Sequence, residues 1–517
     1  MFDKAKTRRK IAAVSCIAVV MGASLYVYDI NAADVERGVH AVTGALSPMR
    51  ALKERALATE FEKGGPVAAV PQDMPWEGVP AFVYHGIVKK GDRFSMTADV
   101  FKDQMFALKR AGYRTVTLRD FQAFARGEKK LPPKSFLLTF DDGRTDSYEG
   151  ADPILKALGF NAVMFVASGA SMPSEDVRWS YYISPNDIKD MLDSGRWEIG
   201  SHAIQADGGY VPIDSEGTKA NFLSSRKWLA ADGRLETDEE YAARVMRELS
   251  ESKHVMEEAF RIPIDAFSYP FGDYGQQTKN QPGAVPTIDA LASLSYRIAF
   301  RQVWPNDGEY AFNHAGDPPL RLKRIETPTD WSGTQLVDFM ESARDKTVPY
   351  RDATGRDPAW KGTWGDVHPG GGGLVVAADA NSAGAAAFLD GTRAWRDYAY
   401  SLLFDRTGGS HVSLMARYVD AKNHLVCTFG EGRVQIEQVV DGVPERLADA
   451  ATDTERLGLG VAGMRVSGTS VECLLGSTPV ASATATDGTG GVGVRVWDRD
   501  LKTAGIIVRS AVITPLE

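Results

Sequence analysis

Cysteine is scarce in this chain. Cys16, Cys427 and Cys473 are the only three in 517 residues. They form no C-x-x-C pair and no Cys/His zinc spacing, which excludes a thiolate metal centre and a redox dithiol. Cys427 and Cys473 read as two buried strand residues; a bond between them is the alternative, and it requires an oxidising compartment. Basic charge is also short. Lys and Arg number 59 against 68 Asp and Glu, a formal net charge of -9, so no broad basic face and no nucleic-acid partner are expected. There is no short-period repeat, which excludes a solenoid. One apolar stretch without a charge stands near the N-terminus, directly after a basic segment.

That stretch is Ile11 to Tyr28, preceded by Lys4, Lys6, Arg8, Arg9 and Lys10. It sits at the short end of the ~17–25 residues that a membrane span needs. The basic flank predicts that residue 1 stays cytoplasmic while the rest crosses. Residues 1–33 are therefore expected to be a basic tail and a single-pass anchor in the inner (cytoplasmic) membrane. The remainder would then be periplasmic or extracellular. A cleaved signal peptide is the alternative and would make the protein secreted, although Ile30 and Asn31 make a poor cleavage site. Residues 34–77 read as a helical stalk and linker, with Val35, Val39, Val42 and Leu46 at helical spacing. Pro48 interrupts it, and Gly64, Gly65 and Pro66 end it.

Strand and helix signals alternate over residues 78–345. Ala81–Tyr84, Thr115–Leu118, Ser135–Phe140, Ala162–Val166, Trp197–Gly200, Ala266–Tyr269, Arg297–Phe300 and Leu322–Glu326 read as strands. Asp99 reads as a cap for the first helix. Ser184 with Asp187, and Thr237 with Glu240, read as capping boxes. Repeated βα units imply an α/β fold with a parallel sheet, open or closed into a barrel, and functional residues at the C-terminal strand ends. Residues 346–373 read as a Gly-, Asp- and Trp-rich linker. Short alternating runs over 374–517 read as an all-β sandwich.

Two strand ends carry chemistry. Thr139-Phe140-Asp141-Asp142-Gly143 places adjacent acids after an apolar run. Successive strand residues point to opposite faces, so both acids reach one site only if the backbone turns there. One acid then binds a cation and the other takes a proton from water. Gly200-Ser201-His202 ends another strand, with Asp207 in a Gly-rich turn five residues on. Asp142, His202 and Asp207 make an oxygen–nitrogen–oxygen set that zinc or a harder divalent ion accepts. Each residue also has a structural reading, as a loop acid or a satisfied core histidine.

Leu138-Thr139-Phe140-Asp141-Asp142-Gly143 resembles the first signature of the polysaccharide deacetylases, the NodB-homology group or carbohydrate esterase family 4. Phe82-Val83-Tyr84-His85-Gly86-Ile87 resembles the opening strand of that family. Ile199-Gly200-Ser201-His202 resembles its metal-histidine motif, and Phe267 to Tyr274 its third motif. The likeness covers about residues 80–340. Within the family it is greatest to the exported deacetylases of poly-N-acetylglucosamine biofilm polymers, and Glu236 to Arg247, after a long insertion, supports that subgroup.

The resemblance implies a distorted βα barrel and a divalent metal ion, zinc or else cobalt or nickel. It implies that Asp141 is the catalytic base and that Asp142 and His202 are metal ligands. Tyr269, Pro270 and Phe271 would bind substrate, with a backbone N–H near Tyr269 stabilising the oxyanion. The family's third ligand is another histidine, where this chain has Ala206 and Asp207; Asp207 either substitutes or the site is degenerate. Ser268 stands where many members carry arginine. There is no late Leu-x-His motif, so the general acid is unassigned, with His85 and His314 as candidates.

Residues 374–517 resemble concanavalin-like and laminin-G-like jelly rolls, a possible carbohydrate-binding module with Trp395, Tyr398, Tyr400 and Trp497 as candidate sugar platforms. The implied activity is metal-dependent N-deacetylation of an N-acetylglucosamine-containing exopolysaccharide, during export or in biofilm matrix formation. Partners would be the acetylated polysaccharide, the membrane and a polysaccharide synthase or export complex. The alternatives are an O-deacetylase of another glycan and an inactive polysaccharide-binding protein.

Overall fold

The structure is a computed structural model that describes residues 51–172, 181–205, 208–305, 307–453, 459–499 and 503–516. The expected anchor, residues 1–33, and the stalk as far as residue 50 lie outside the described residues. Residues 51–63 are helical. Among the described residues no helix is long and apolar enough to cross a membrane. Phe61–Glu517 form one compact unit holding both the α/β and the all-β parts.

Seven parallel strands make the α/β part: β1 (Ala81–Tyr84), β2 (Ser135–Phe140), β3 (Ala162–Val166), β4 (Trp197–Ser201), β5 (Ala266–Ser268), β6 (Ile298–Val303) and β7 (Leu322–Glu326). β1 pairs with β2 on one side and β7 on the other, so the sheet closes into a barrel. Among the described residues the longer helices between and after these strands are α1 (Ala98–Arg110), α2 (Leu118–Ala125), α3 (Thr145–Leu158), α4 (Pro185–Asp193), α5 (Asp238–Phe260), α6 (Ala284–Ser295) and α7 (Gly333–Ser342). The capping boxes at Ser184 and Thr237 start α4 and α5 as expected. Thr97, not Asp99, caps α1, its hydroxyl accepting from the Val100 N–H. Of the expected strand 115–118, only Arg114–Thr115 is extended, because Thr117 caps α2 by accepting from the Asp120 N–H.

The lower half of the barrel is filled by Leu137, Val163, Phe165, Ala266, Ile298, Phe300 and Leu322. Phe121 of α2 closes that end, its ring 5.7 Å from Phe300. Truncating such a fully buried ring costs about 3–5 kcal/mol. The C-terminal half, by contrast, receives charged side chains, and these build the site.

The β-sandwich packs an eight-stranded sheet on a seven-stranded one. The expected linker 346–373 belongs to it. Tyr350–Asp352 pairs with the last strand, Gly505–Pro515, and Trp360–Trp364 and Asp366–Gly370 are also strands. Its glycines reflect close approach rather than looseness: a Cβ at Gly373 would come 2.0 Å from the Val508 carbonyl oxygen. Cys427 and Cys473 are disulfide-bonded and join the two sheets, where two separate buried thiols had been expected. Trp395, Tyr398 and Tyr400 are buried in the sandwich core and are not sugar platforms. Trp497 is half-buried and stacked on His411 at 4.6 Å. The sandwich is seated on the barrel through Tyr310, Phe388, Met415 and Tyr418, and the Tyr418 hydroxyl donates to the Gly308 carbonyl.

Candidate active site

Both acids of the first motif reach one place because the backbone reverses its hand between them. Asp141 continues β2, its N–H donating to the Tyr84 carbonyl. Asp142 then takes φ +70° and Gly143 φ +72°, a left-handed pair that aspartate and glycine tolerate best. The Asp141 carboxylate therefore points into the barrel mouth, 3% exposed, while that of Asp142 stands at the rim.

His202 extends β4 by donating its N–H to the Val166 carbonyl. Its ring is fixed by a hydrogen bond from Nδ1 to the Ser268 carbonyl, 2.9 Å. A carbonyl can only accept, so Nδ1 carries the proton and Nε2 is left facing the acids. Nε2 lies 3.6 Å from Asp142 Oδ1 and 3.9 Å from Asp141 Oδ2. This is the outer hydrogen bond that orients a ligating histidine. Two ligands each about 2.0–2.2 Å from one ion stand about this far apart. Asp142 and His202 thus fit as two ligands of a divalent cation. Asp207, the expected third, lies outside the described residues together with Ala206. Among the described residues no group of three His, Cys, Asp or Glu is arranged to hold a metal ion.

Arg324, on β7, is the residue that sequence reasoning missed. It is 1% exposed on its side chain. Its Nη1 donates to Asp141 Oδ1 at 2.5 Å and its Nη2 to Oδ2 at 2.7 Å. Nη2 also donates to the Ser268 hydroxyl, which in turn donates to Asp141 Oδ2 at 3.2 Å. The guanidinium lies over the Phe165 and Phe300 rings. Burial pushes the Asp141 pKa up, but Arg324, with His202 and His85, holds it well below the usual carboxylate range. The arginine absent at position 268 is replaced across the barrel, with Ser268 as the bridge.

His85 follows β1 and is partly buried at the same mouth. Its Nδ1 lies 3.5 Å from Glu326 Oε1 at the end of β7. Glu326 also accepts from Gln302. Burial pulls the His85 pKa down, yet the Glu326 carboxylate, with Asp142 and Asp141, pushes it up to about 9. The Glu326 carboxylate thus favours the protonated imidazole.

His314 is not part of this constellation. It follows Asn313, which pairs with Val79 before β1 begins, at the opposite end of the barrel. Its Nε2 bonds Asp345 Oδ1 at 3.1 Å, and Asp345 also accepts the Glu77 and Gly78 N–H groups. It is a structural clamp. Tyr269 is buried, and its N–H donates to the Phe300 carbonyl at 3.0 Å, so it is not a free oxyanion donor. Pro270 has no N–H. Phe271, exposed and at φ +60°, is left as the candidate donor of this stretch.

Residues 128–284 match the family model of the polysaccharide deacetylases. The chain is 25% identical over 214 residues to the poly-beta-1,6-N-acetyl-D-glucosamine N-deacetylase of Escherichia coli K12, covering 39% of this chain and 32% of that one. It is 23% identical over 224 residues to the enzyme of the same name from Staphylococcus aureus MSSA476, covering 43% and 67%. The matched region thus spans about a third of the first relative and two thirds of the second. Among solved structures, a de-N-acetylase from Aggregatibacter actinomycetemcomitans superposes with a TM-score of 0.42 at 21% identity, over 50% of this chain and 99% of that one. The stretch that matches the polysaccharide deacetylase model includes Asp141, Asp142 and His202.

Proposed function

We propose that the protein removes N-linked acetyl groups from an N-acetylglucosamine-containing exopolysaccharide in a metal-dependent hydrolysis. The observation that carries this reading is the buried Asp141 carboxylate, held ionised by Arg324 beside a histidine–aspartate ligand pair. A buried ion pair is costly to form and contributes little net stability. A fixed, ionised base at a cation site gives that arrangement a purpose.

Asp142 and His202 would hold the cation, zinc or else cobalt or nickel, with Asp207 as the third ligand. Bound there, it supplies Lewis-acid polarisation of the acetyl carbonyl and acidifies water. Asp141, aimed by Arg324 and Ser268, accepts the proton of the attacking water. Water oxygen bonds to the acetyl carbon, and the carbon–nitrogen bond breaks. His85 gives its proton to the departing sugar amine, and Glu326 keeps the imidazole charged until then. The Phe271 N–H would donate to the carbonyl oxygen as negative charge develops.

The relatives named as poly-beta-1,6-N-acetyl-D-glucosamine N-deacetylases support the N-linked choice over an O-acetyl ester. The Cys427–Cys473 disulfide supports an oxidising compartment. We place the catalytic part outside the cytoplasm, held at the inner membrane through residues 1–33, where it meets a polymer being exported for a biofilm matrix, with a synthase or export complex as partner. The test is Asp141→Asn in the full chain. Acetate release should be abolished while metal still binds at one equivalent. Retained turnover removes Asp141 from its role, and loss of bound metal makes it a ligand instead.

A further inference from the structure

Helix α5 turns a polar stripe toward the chain around His202. Arg244, Glu248 and Ser252 follow one another at intervals of four, so they share one face of the helix. The Ser252 hydroxyl lies 2.8 Å from that of Ser201, the residue before His202, and both serines are fully buried. Glu248 takes the residues after it. One of its oxygens, Oε2, accepts the Ile204 N–H at 3.2 Å and the Gln205 N–H at 3.1 Å. Arg244 anchors the same face by donating to the Phe222 and Ser225 carbonyls.

The stretch that Glu248 holds is strained. Ala203 sits at φ +61° and Gln205 at φ +56°, left-handed positions that cost energy in any residue with a Cβ. Such a path persists only where its neighbours over-determine it. Here they do. The Ser168 N–H donates to the Ala203 carbonyl at 3.1 Å, and the Gly169 N–H to the Ile204 carbonyl at 3.0 Å. Gly169 has no room for a side chain, since a Cβ there would stand 2.6 Å from that Ile204 oxygen. The Gln205 side-chain amide turns back and donates to the His202 carbonyl at 2.7 Å. The N–H groups of Ile204 and Gln205 then share a single acceptor, and that acceptor is Glu248.

The chain thus leaves His202 through two left-handed residues that α5 pins in place. A ligating imidazole is useful only while its bare nitrogen keeps its aim, and the groups around it set that aim. We propose that Glu248 is a positioning residue for the cation site. It acts through the backbone of 203–205, and not as a ligand, to keep His202 Nε2 facing Asp142 Oδ1 at 3.6 Å. The role needs an acceptor oxygen on the side chain and does not need its charge. This rests on the cation site of the proposed function, and it adds the residue that fixes one ligand from behind.

The experiment uses the full chain, stripped with a chelator, as wild type, Glu248→Ala and Glu248→Gln. Zinc binding is measured by calorimetry, and the visible spectra of the cobalt-loaded chains are compared. Glu248→Ala should weaken zinc binding by about tenfold to a hundredfold, the range for a lost outer contact of a metal site, and should alter the cobalt spectrum. Glu248→Gln keeps an oxygen able to accept both N–H groups, so it should match the wild type in both readouts. Should the alanine variant not fold, Glu248→Asp, one methylene shorter, takes its place with the same expectation. Unchanged zinc affinity in Glu248→Ala overturns the proposal, because the clamp then serves stability alone. An equal loss in Glu248→Gln also overturns it, because the charge would then be what matters. Acetate release by the wild type separates this inference from the deacetylase reading. The expected zinc pattern in a chain that releases no acetate from any substrate sinks that reading and keeps the positioning role. Acetate release with zinc affinity unchanged in Glu248→Ala does the reverse. A wild type that binds no zinc overturns both.

Discussion

Arg324 grips Asp141 with both of its terminal nitrogens, from a strand 183 residues further along the chain. The pair closes the polar half of the barrel above Phe165 and Phe300. The carboxylate is kept charged by the guanidinium that holds both of its oxygens.

Replacing Arg324 with methionine should leave a buried carboxylate without its cation. Stability should fall by about 3–5 kcal/mol, the cost of orphaning one member of a buried pair. The Asp141 pKa should rise, so the acidic limb of the pH–rate profile should move to higher pH. Stability from the pair is present above the unfolded carboxylate pKa and is lost as pH falls through the depressed folded value. Thermal melts against pH and a kcat/KM profile check both effects, and Arg324→Lys should show a smaller version of each.

Glu326 holds the His85 pKa up to about 9. An acid must be protonated to act, so activity should fall as pH rises through the His85 value. Glu326→Gln should move the alkaline limb of kcat/KM to lower pH by a unit or more. His85→Gln should lower kcat by at least roughly a hundredfold with bound metal unchanged.

His424 in the sandwich behaves in the opposite way. Burial lowers its pKa to about 4, and its Nε2 has no hydrogen-bond partner. Between the unfolded value near 6.5 and the folded one, the unfolded chain binds a proton that the folded chain does not. Stability should therefore decline as pH falls from ~6.5 to ~4, by about 3 kcal/mol. His424→Gln should flatten that slope in denaturation measured at several pH values.

The Cys427–Cys473 bond closes a stretch with a sequence separation of 46. Replacing both cysteines with serine should cost about 2–4 kcal/mol. A reducing agent should lower the melting temperature of the wild type and leave the double variant unchanged.

Much of this site was legible because it follows short motifs at strand ends. Asp141, Asp142 and His202 were read from TFDDG and GSH, and the left-handed turn at Asp142 is the device their adjacency demanded. Arg324 was not read, because its pairing spans the barrel and no local pattern marks it. One signal was present. A fully enclosed parallel strand is normally an apolar run, yet β7 reads Leu-Lys-Arg-Ile-Glu with every residue buried. Three charges in such a strand must be aimed at partners, and they are: Arg324 at Asp141, Glu326 at Gln302 and His85, and Lys323 at the Tyr310 carbonyl. His314 misled because a lone histidine outside any motif carries no information about which barrel end it faces. The supposed linker misled because glycine at a close strand contact and glycine in a flexible loop look alike in composition. Trp395, Tyr398 and Tyr400 misled because aromatic residues build cores as readily as platforms.

The central claim is tested most directly by acetate release from N-acetylglucosamine oligomers. The full chain is stripped with a chelator and then reloaded with zinc, cobalt or nickel. The account predicts no acetate from the stripped protein, recovery on reloading, and no recovery in Asp142→Ala or His202→Ala. Acetate release that persists without metal, or that survives loss of both ligands, would contradict it.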